Sequence, residues 1–153
     1  GVGVLQEHTR QPALGRNWHA NFATITDGTS NTFITGERTG GNEVYNGRLP
    51  ADLTGFPFTK AQIVGSNGGG WGDSLNGDNE FEGALYSGLG PTLAHGPCAI
   101  NCTNYREFGF HSFHPGGAQF TMADGSVQFV SATVSVNSFA GRFTRDGGET
   151  ITD

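Results

Sequence analysis

Basic charge is what this chain has least of. It holds a single lysine, Lys60, and its 8 Lys plus Arg face 14 Asp plus Glu, a formal net charge of −6. Binding to nucleic acid is disfavoured, because no basic stripe exists to displace counterions from phosphates. An anionic membrane surface is disfavoured for the same reason. No apolar run approaches the ~20 residues that cross a bilayer, and the N-terminal stretch is not expected to be a secretory leader. The chain opens at Gly1-Val2-Gly3-Val4 without a methionine, so it is expected to be a processed product or a portion of something longer. Apolar residues make up only 35%, and there are two cysteines.

Glycine and aromatics are present in quantity. Gly accounts for 26 of 153 residues, with 12 Phe, 3 Tyr and 2 Trp. Glycine at this level without a triplet repeat means turns and irregular loops. The aromatics offset the thin apolar content, since each one removes a large area from water. One domain, 1–153, is the expectation for this length, with a small aromatic core between long loops. An acidic, lysine-poor composition rich in Gly, Asn and Thr fits an extracellular or cell-surface protein.

The segment His114 to Val130 reads as a β-hairpin. Asp124-Gly125 suits a type I′ turn, in which both central residues need φ > 0. With those two at the tip, Met122 faces Val127 and Phe120 faces Phe129 on one side, and Thr121/Gln128 and Ala123/Ser126 lie on the other. That register segregates apolar from polar on both strands. The β-branched run Thr32-Phe33-Ile34-Thr35 reads as a strand. Ser135 to Arg145 is the helix candidate: Ser135 caps it, Val136, Phe139, Ala140 and Phe143 form an apolar stripe, and Gly147-Gly148 ends it. Residues 39–60 are turn-rich. Residues 65–90 read as a long glycine-rich loop, with short strands around Trp71 and Ala84 to Tyr86. The expected class is mainly β with little helix: an antiparallel sheet, long glycine-rich loops and one C-terminal helix.

Cys98 and Cys102 suggest a disulfide closing a small loop. A metal alternative exists, since His95, Cys98, Cys102, His111 and His114 supply more than the four ligands of a structural zinc site, although their spacing matches no standard finger. Calcium is a candidate at two places where oxygen side chains alternate, Asp27 with Asn31, and Asp73, Asn76, Asp78 and Glu80. The competing reading is a set of Asx turns bonding their own backbone. Trp18 and Trp71, with Tyr45 and Tyr86, are candidate platforms for stacking a saccharide ring, against a reading in which they build the core. Catalysis has little support. Ser112 lies between His111 and His114 without a nucleophile elbow around it. The carboxylates Glu37, Glu80, Glu82 and Glu149 offer no pairing that the sequence singles out. Asn101-Cys102-Thr103 is formally a glycosylation sequon.

Three blocks together resemble a known family. His114, nine residues, then Asp124-Gly125 resembles the C-terminal His-x9-Asp-Gly signature of a pseudopilin-like family abundant in planctomycete bacteria. The flanking Phe-Gly-Phe-His-Ser-Phe-His-Pro-Gly-Gly and Ala-Asp-Gly-Ser-Val-Gln-Phe-Val are similar to its closing block. Ile25-Thr-Asp-Gly-Thr-Ser-Asn-Thr with Gly36-Glu37-Arg38 resembles its second block, and Phe143-Thr-Arg-Asp-Gly-Gly-Glu149 its usual ending. The resemblance implies a type IV pilin-like plan, an N-terminal prepilin helix followed by a β-rich head. That helix and its cleavage motif have no counterpart here, so the chain corresponds to the C-terminal part of a member. His114, Asp124 and Gly125 are signature residues for which a structural role is expected: His114 bonding backbone carbonyls at the hairpin base, and Asp124 supporting the turn.

The leading functional expectation is a non-catalytic structural subunit of an extracellular or cell-surface pilin-like filament or secretion-related assembly, partnered by itself or by related subunits. The alternative is an extracellular carbohydrate-binding module, with calcium as a stabilising ion. A hydrolase is the least supported class.

Overall fold

The computed structural model describes residue 13 and residues 21–39, 41–66 and 82–148. The architecture is mainly β, as expected, with antiparallel sheets of three and two strands and two short α-helices. Strands β1 (Phe33–Gly36), β4 (Gly117–Met122) and β5 (Val127–Ser131) form the larger sheet, in the order β1-β4-β5. β2 (Tyr45–Asn46) and β3 (Leu49–Pro50) form a small hairpin. Helix α1 spans Lys60–Ser66 and α2 spans Val136–Gly141. No helix among the described residues is long and apolar enough to cross a membrane.

The hairpin is present, but its register differs by one residue from the expected one. Phe120 lies opposite Gln128 and Thr121 opposite Val127. Met122 N–H donates to Ser126 O and Gly125 N–H to Met122 O, so the loop has three residues, Ala123-Asp124-Gly125. Gly125 takes φ +84°, while Asp124 is not among the residues with positive φ. This is the type I turn plus left-handed residue of a three-residue hairpin loop. Only Gly125 has to adopt the left-handed region, whereas the two-residue turn would have forced Asp124 there too. The new register keeps Ala118, Phe120, Met122 and Val130 inside. It turns Val127 and Phe129 outward, where they remain 62% and 50% exposed.

The expected strand at 32–35 is realised as β1, one residue later. A register shift between Phe33 and Thr35 marks a bulge at Ile34. Gly36 has no side chain for a physical reason: a Cβ there would sit 2.5 Å from the Phe120 ring and 2.6 Å from the Phe110 ring.

Two hydrophobic clusters result. The first joins Phe33, Ile100, Phe120, Met122 and Phe139, with Phe110 and Phe143 packed against it. Its rings interlock, with Phe33 stacked on Phe120 at 4.5 Å and Phe139 edge-on to Phe143 at 5.1 Å. Helix α2 supplies Phe139 and Ala140 as foreseen, and Ser135 caps it by accepting from the Ser138 N–H. The second cluster holds Val44, Ile63, Ala84, Leu89, Cys98 and Phe108. Ile63 comes from α1, a helix the sequence reading did not anticipate. Thr59 and Gln62 exchange bonds at its start, Gln62 N–H to Thr59 Oγ1 and Thr59 N–H to Gln62 Oε1, a capping box. Around Ala84 there are isolated bridges to His95 and Cys98 instead of a strand.

Candidate functional site

The three sequence blocks meet in space. Glu37, just past β1, donates its N–H to Gln119 O and accepts His111 N–H at its carbonyl. Its carboxylate Oε2 accepts the Gln119 N–H at 2.8 Å, and its Oε1 lies 3.3 Å from His114 Nε2. Glu37 and His114, far apart in the chain, are therefore joined side chain to side chain. Around them opens a cleft of roughly 500 Å³, its wall continued by Arg38, Thr39, Ser112 and Phe113.

The cleft's back wall is built to stay put. His111 is fully buried. Its Nε2 is 2.6 Å from Gly47 O and its Nδ1 is 2.9 Å from Thr39 Oγ1. A carbonyl can only accept, so Nε2 carries the proton; Nδ1 faces the Thr39 hydroxyl, which also donates to His111 O at 3.1 Å. Burial lowers the His111 pKa below its usual value, the Gly47 hydrogen bond opposing it. Ser112 donates its hydroxyl to Gly117 O at 2.6 Å and accepts His114 N–H at 3.1 Å. Asn101 fixes the same corner, giving its amide to Gly117 O and receiving Ser112 N–H. A serine whose proton is committed to a backbone carbonyl is not poised as a nucleophile. Phe113 stands at the mouth, 48% exposed. Its ring is edge-on to Tyr45 and His111, and its carbonyl accepts from Arg48 Nη2 at 3.0 Å.

The other residues singled out in the sequence distribute as follows. Asp124 sits at the hairpin tip, where Oδ1 accepts Ser126 N–H at 2.8 Å; hydrogen bonding from the Ser126 side chain first, and from this backbone N–H second, lowers its pKa. His114 and Asp124 lie beyond opposite ends of β4 and serve separate sites. His114 meets the Glu37 carboxylate rather than backbone carbonyls. Asp27 ties the C-terminal segment to the β1 block. Its carboxylate accepts Gly147 N–H at 2.7 Å, Gly148 N–H at 2.9 Å and Thr144 Oγ1 at 3.3 Å. Asn31 turns its amide NH2 to Asp27 O at 3.2 Å. Both side chains are engaged in tying the chain to itself. Among the described residues no group of three or more His, Cys, Asp or Glu could hold a metal.

Cys98 and Cys102 form the expected disulfide, which removes the thiolates the zinc alternative required. Of that alternative's histidines, His111 is buried in its hydrogen bonds, and His95 lies 2.8 Å from Glu82 and stacks on Phe108. The sequon residue Asn101 spends its amide inside the fold. Trp18, Trp71, Asp73, Asn76, Asp78, Glu80 and Glu149 lie outside the described residues.

Several site residues went unnoticed in the sequence. Glu37 was one carboxylate among several, and only the β1–β4 pairing reveals its partner. Asn104, fully buried, accepts Tyr45 N–H at 2.8 Å and donates to Glu43 O at 2.8 Å. No sequence signal marks it.

Fold and site together define a β-rich, disulfide-stapled protein in which the polar side chains around an open cleft mostly brace the backbone. Residues 5–137 match the model of a family described as protein of unknown function, DUF1559, and the chain belongs to that family. The match takes in the β1 block and the whole hairpin and ends inside α2. No curated protein and no solved structure matches the chain.

Proposed function

We propose that the chain is a non-catalytic structural subunit of an extracellular or cell-surface assembly of the pilin-like type, joined to neighbouring subunits through strand β5. The observation that carries this reading is the state of that strand. Among the described residues, β5 is at the edge of its sheet. Because Met122 bonds to Ser126 and Ala132 N–H bonds to Gly116 O, the antiparallel alternation directs the backbone groups of Gln128 and Val130 to β4. It directs those of Val127 and Phe129 to the open side. Edge strands are ordinarily blunted by a charge, a proline or a bulge. Val127-Gln128-Phe129-Val130-Ser131 has no charged residue and no proline. Its outward apolar side chains add to the surface a neighbour would cover. The opposite edge differs, since Phe33 N–H donates to Arg142 O at 2.7 Å.

The non-catalytic part of the reading is supported by the fate of the titratable groups. Ser112, His111 and Glu37 each hold backbone, and the cleft contains no activated nucleophile–base pair. The alternative reading, a carbohydrate module built on Trp18 and Trp71 with calcium at residues 73–80, rests on side chains outside the described residues.

The test is electron microscopy of the native protein alongside its mass in solution over a range of concentrations. The wild type is expected to form ordered assemblies or concentration-dependent oligomers. The double variant Val127→Lys/Phe129→Lys is expected to abolish them while retaining the wild-type circular dichroism. Assemblies that persist unchanged in the variant, or a wild type that stays monomeric throughout, would overturn the proposal.

A further inference from the structure

The geometry points to a binding site for a neutral saccharide in the cleft between β1 and the approach to β4, with Phe113 as its stacking platform and Glu37 and His114 as its polar wall. This inference stands apart from the assembly reading, since β5 plays no part in it.

The cleft's volume, roughly 500 Å³, falls in the range of small-molecule sites. One wall is a half-exposed aromatic ring that cannot easily turn aside. Tyr45 at 5.0 Å and His111 at 5.4 Å meet it edge to face, and Arg48 anchors its carbonyl. A half-exposed ring held against two others offers apolar surface to the C–H face of a pyranose, and ordering it costs little entropy. The lining also carries planar polar groups whose positions are set. Glu37 is held by Gln119 N–H through one carboxylate oxygen. Its other oxygen approaches the His114 imidazole, and the two side chains remain 36% and 55% exposed. An acceptor and a donor side by side on fixed planes match the vicinal hydroxyls of a sugar, each of which both donates and accepts.

Other ligand classes fit less well. A metal ion would need more ligands than the cleft offers, as no cluster of three His, Cys, Asp or Glu exists among the described residues. An anionic ligand would gain Arg38 but would also meet the Glu37 carboxylate, on a chain of net charge −6. A purely apolar ligand would desolvate Glu37 and His114 without repaying them. A neutral polyhydroxyl ring satisfies the aromatic and polar walls together.

The test is isothermal titration calorimetry with neutral gluco-, xylo- and manno-oligosaccharides, with oligogalacturonate as the anionic comparator and backbone amide shifts to locate the ligand. At least one neutral oligosaccharide is expected to bind and to shift amides at 37–39 and 111–114. Phe113→Ala is expected to weaken binding about 10-fold through loss of the stacking contact. Phe113→Tyr keeps the ring and is expected to keep the affinity, which separates stacking from any folding defect in the alanine variant. Glu37→Gln still offers an acceptor to Gln119 N–H and is expected to weaken binding as well. The β5 double variant is expected to bind as the wild type does. Failure of every neutral oligosaccharide to bind, preference for oligogalacturonate, amide shifts elsewhere, or undiminished binding by Phe113→Ala would each overturn the inference.

Discussion

At the scale of single residues, this protein uses ionisable and amide side chains as backbone partners. His111, Asn104, Asp27 and Glu37 come from four separate stretches, and each closes a contact between segments far apart in sequence. A fully buried imidazole bonded at both nitrogens is costly to remove, because truncation leaves a cavity and orphans the Gly47 carbonyl. His111→Ala is expected to lower stability by about 2–4 kcal/mol in urea unfolding. The same residue sets a pH dependence. Burial lowers its folded-state pKa, so below about pH 6.5 the unfolded chain takes up the proton first. The stability His111 contributes is therefore complete above that pH and is lost as pH falls toward the folded-state value. Urea midpoints at pH 7.5 and 5.5 are expected to drop further for the wild type than for His111→Gln; equal drops would show that His111 does not drive the change. Asp27 offers a second test. With two backbone N–H groups and the Thr144 hydroxyl on its carboxylate, Asp27→Ala is expected to cost about 1–3 kcal/mol, read as a lowered Tm.

At the scale of elements, local chemistry decided more than apolar patterning did. The hairpin was legible from Asp124-Gly125 between alternating runs, yet its register followed the turn. A single left-handed glycine was cheaper than a left-handed Asp124-Gly125 pair, and the cost was two apolar side chains outside. Patterning alone misled because it assumes both faces of the strand are decided by burial, whereas the outward face of β5 leaves Val127 and Phe129 exposed. Gly125→Ala isolates the turn. A Cβ there meets nothing within 4 Å, so the expected loss of about 1 kcal/mol is conformational, from φ +84° alone. A differential scanning comparison with the wild type would check it, and an unchanged Tm would mean the loop relaxes to another turn. The C-terminal helix was legible through Ser135 and its apolar stripe, though α2 ends at Gly141, short of Arg145. Helix α1 was legible in principle from the Thr59-x-x-Gln62 box and was obscured by the prolines and glycines around it. The cleft was legible only in half. His114 stood out by its signature, whereas Glu37 and Phe113 acquire meaning from the parallel bridge Arg38–His111 and the β1–β4 pairing, which no local pattern encodes.

At the scale of the whole molecule, the two hydrophobic clusters share one short run of chain. Ala99 and Ile100 belong to the phenylalanine cluster, and Cys98 belongs to the other. The disulfide lies at that seam. Cys98 also exchanges backbone bonds with Ala84, at 2.9 and 2.8 Å, and Gly47 N–H donates to Cys102 O at 2.9 Å. Among the described residues, the second cluster has beside it the two-residue strands β2 and β3 and the short helix α1, so its order leans on these isolated bonds. The first cluster is backed by the three-stranded sheet. Reduction is therefore expected to act unevenly. Closing so small a loop contributes about 2 kcal/mol by chain entropy, too little to unfold a sheet-backed core but comparable to local opening of a loop-built one. Hydrogen exchange on the reduced protein should show protection lost at Ala84, Cys98 and Gly47 while Gln119 and Met122 amides stay slow. A uniform loss of protection across both groups would mean the clusters unfold as one unit, and unchanged protection everywhere would mean the bridge bears no load at the seam.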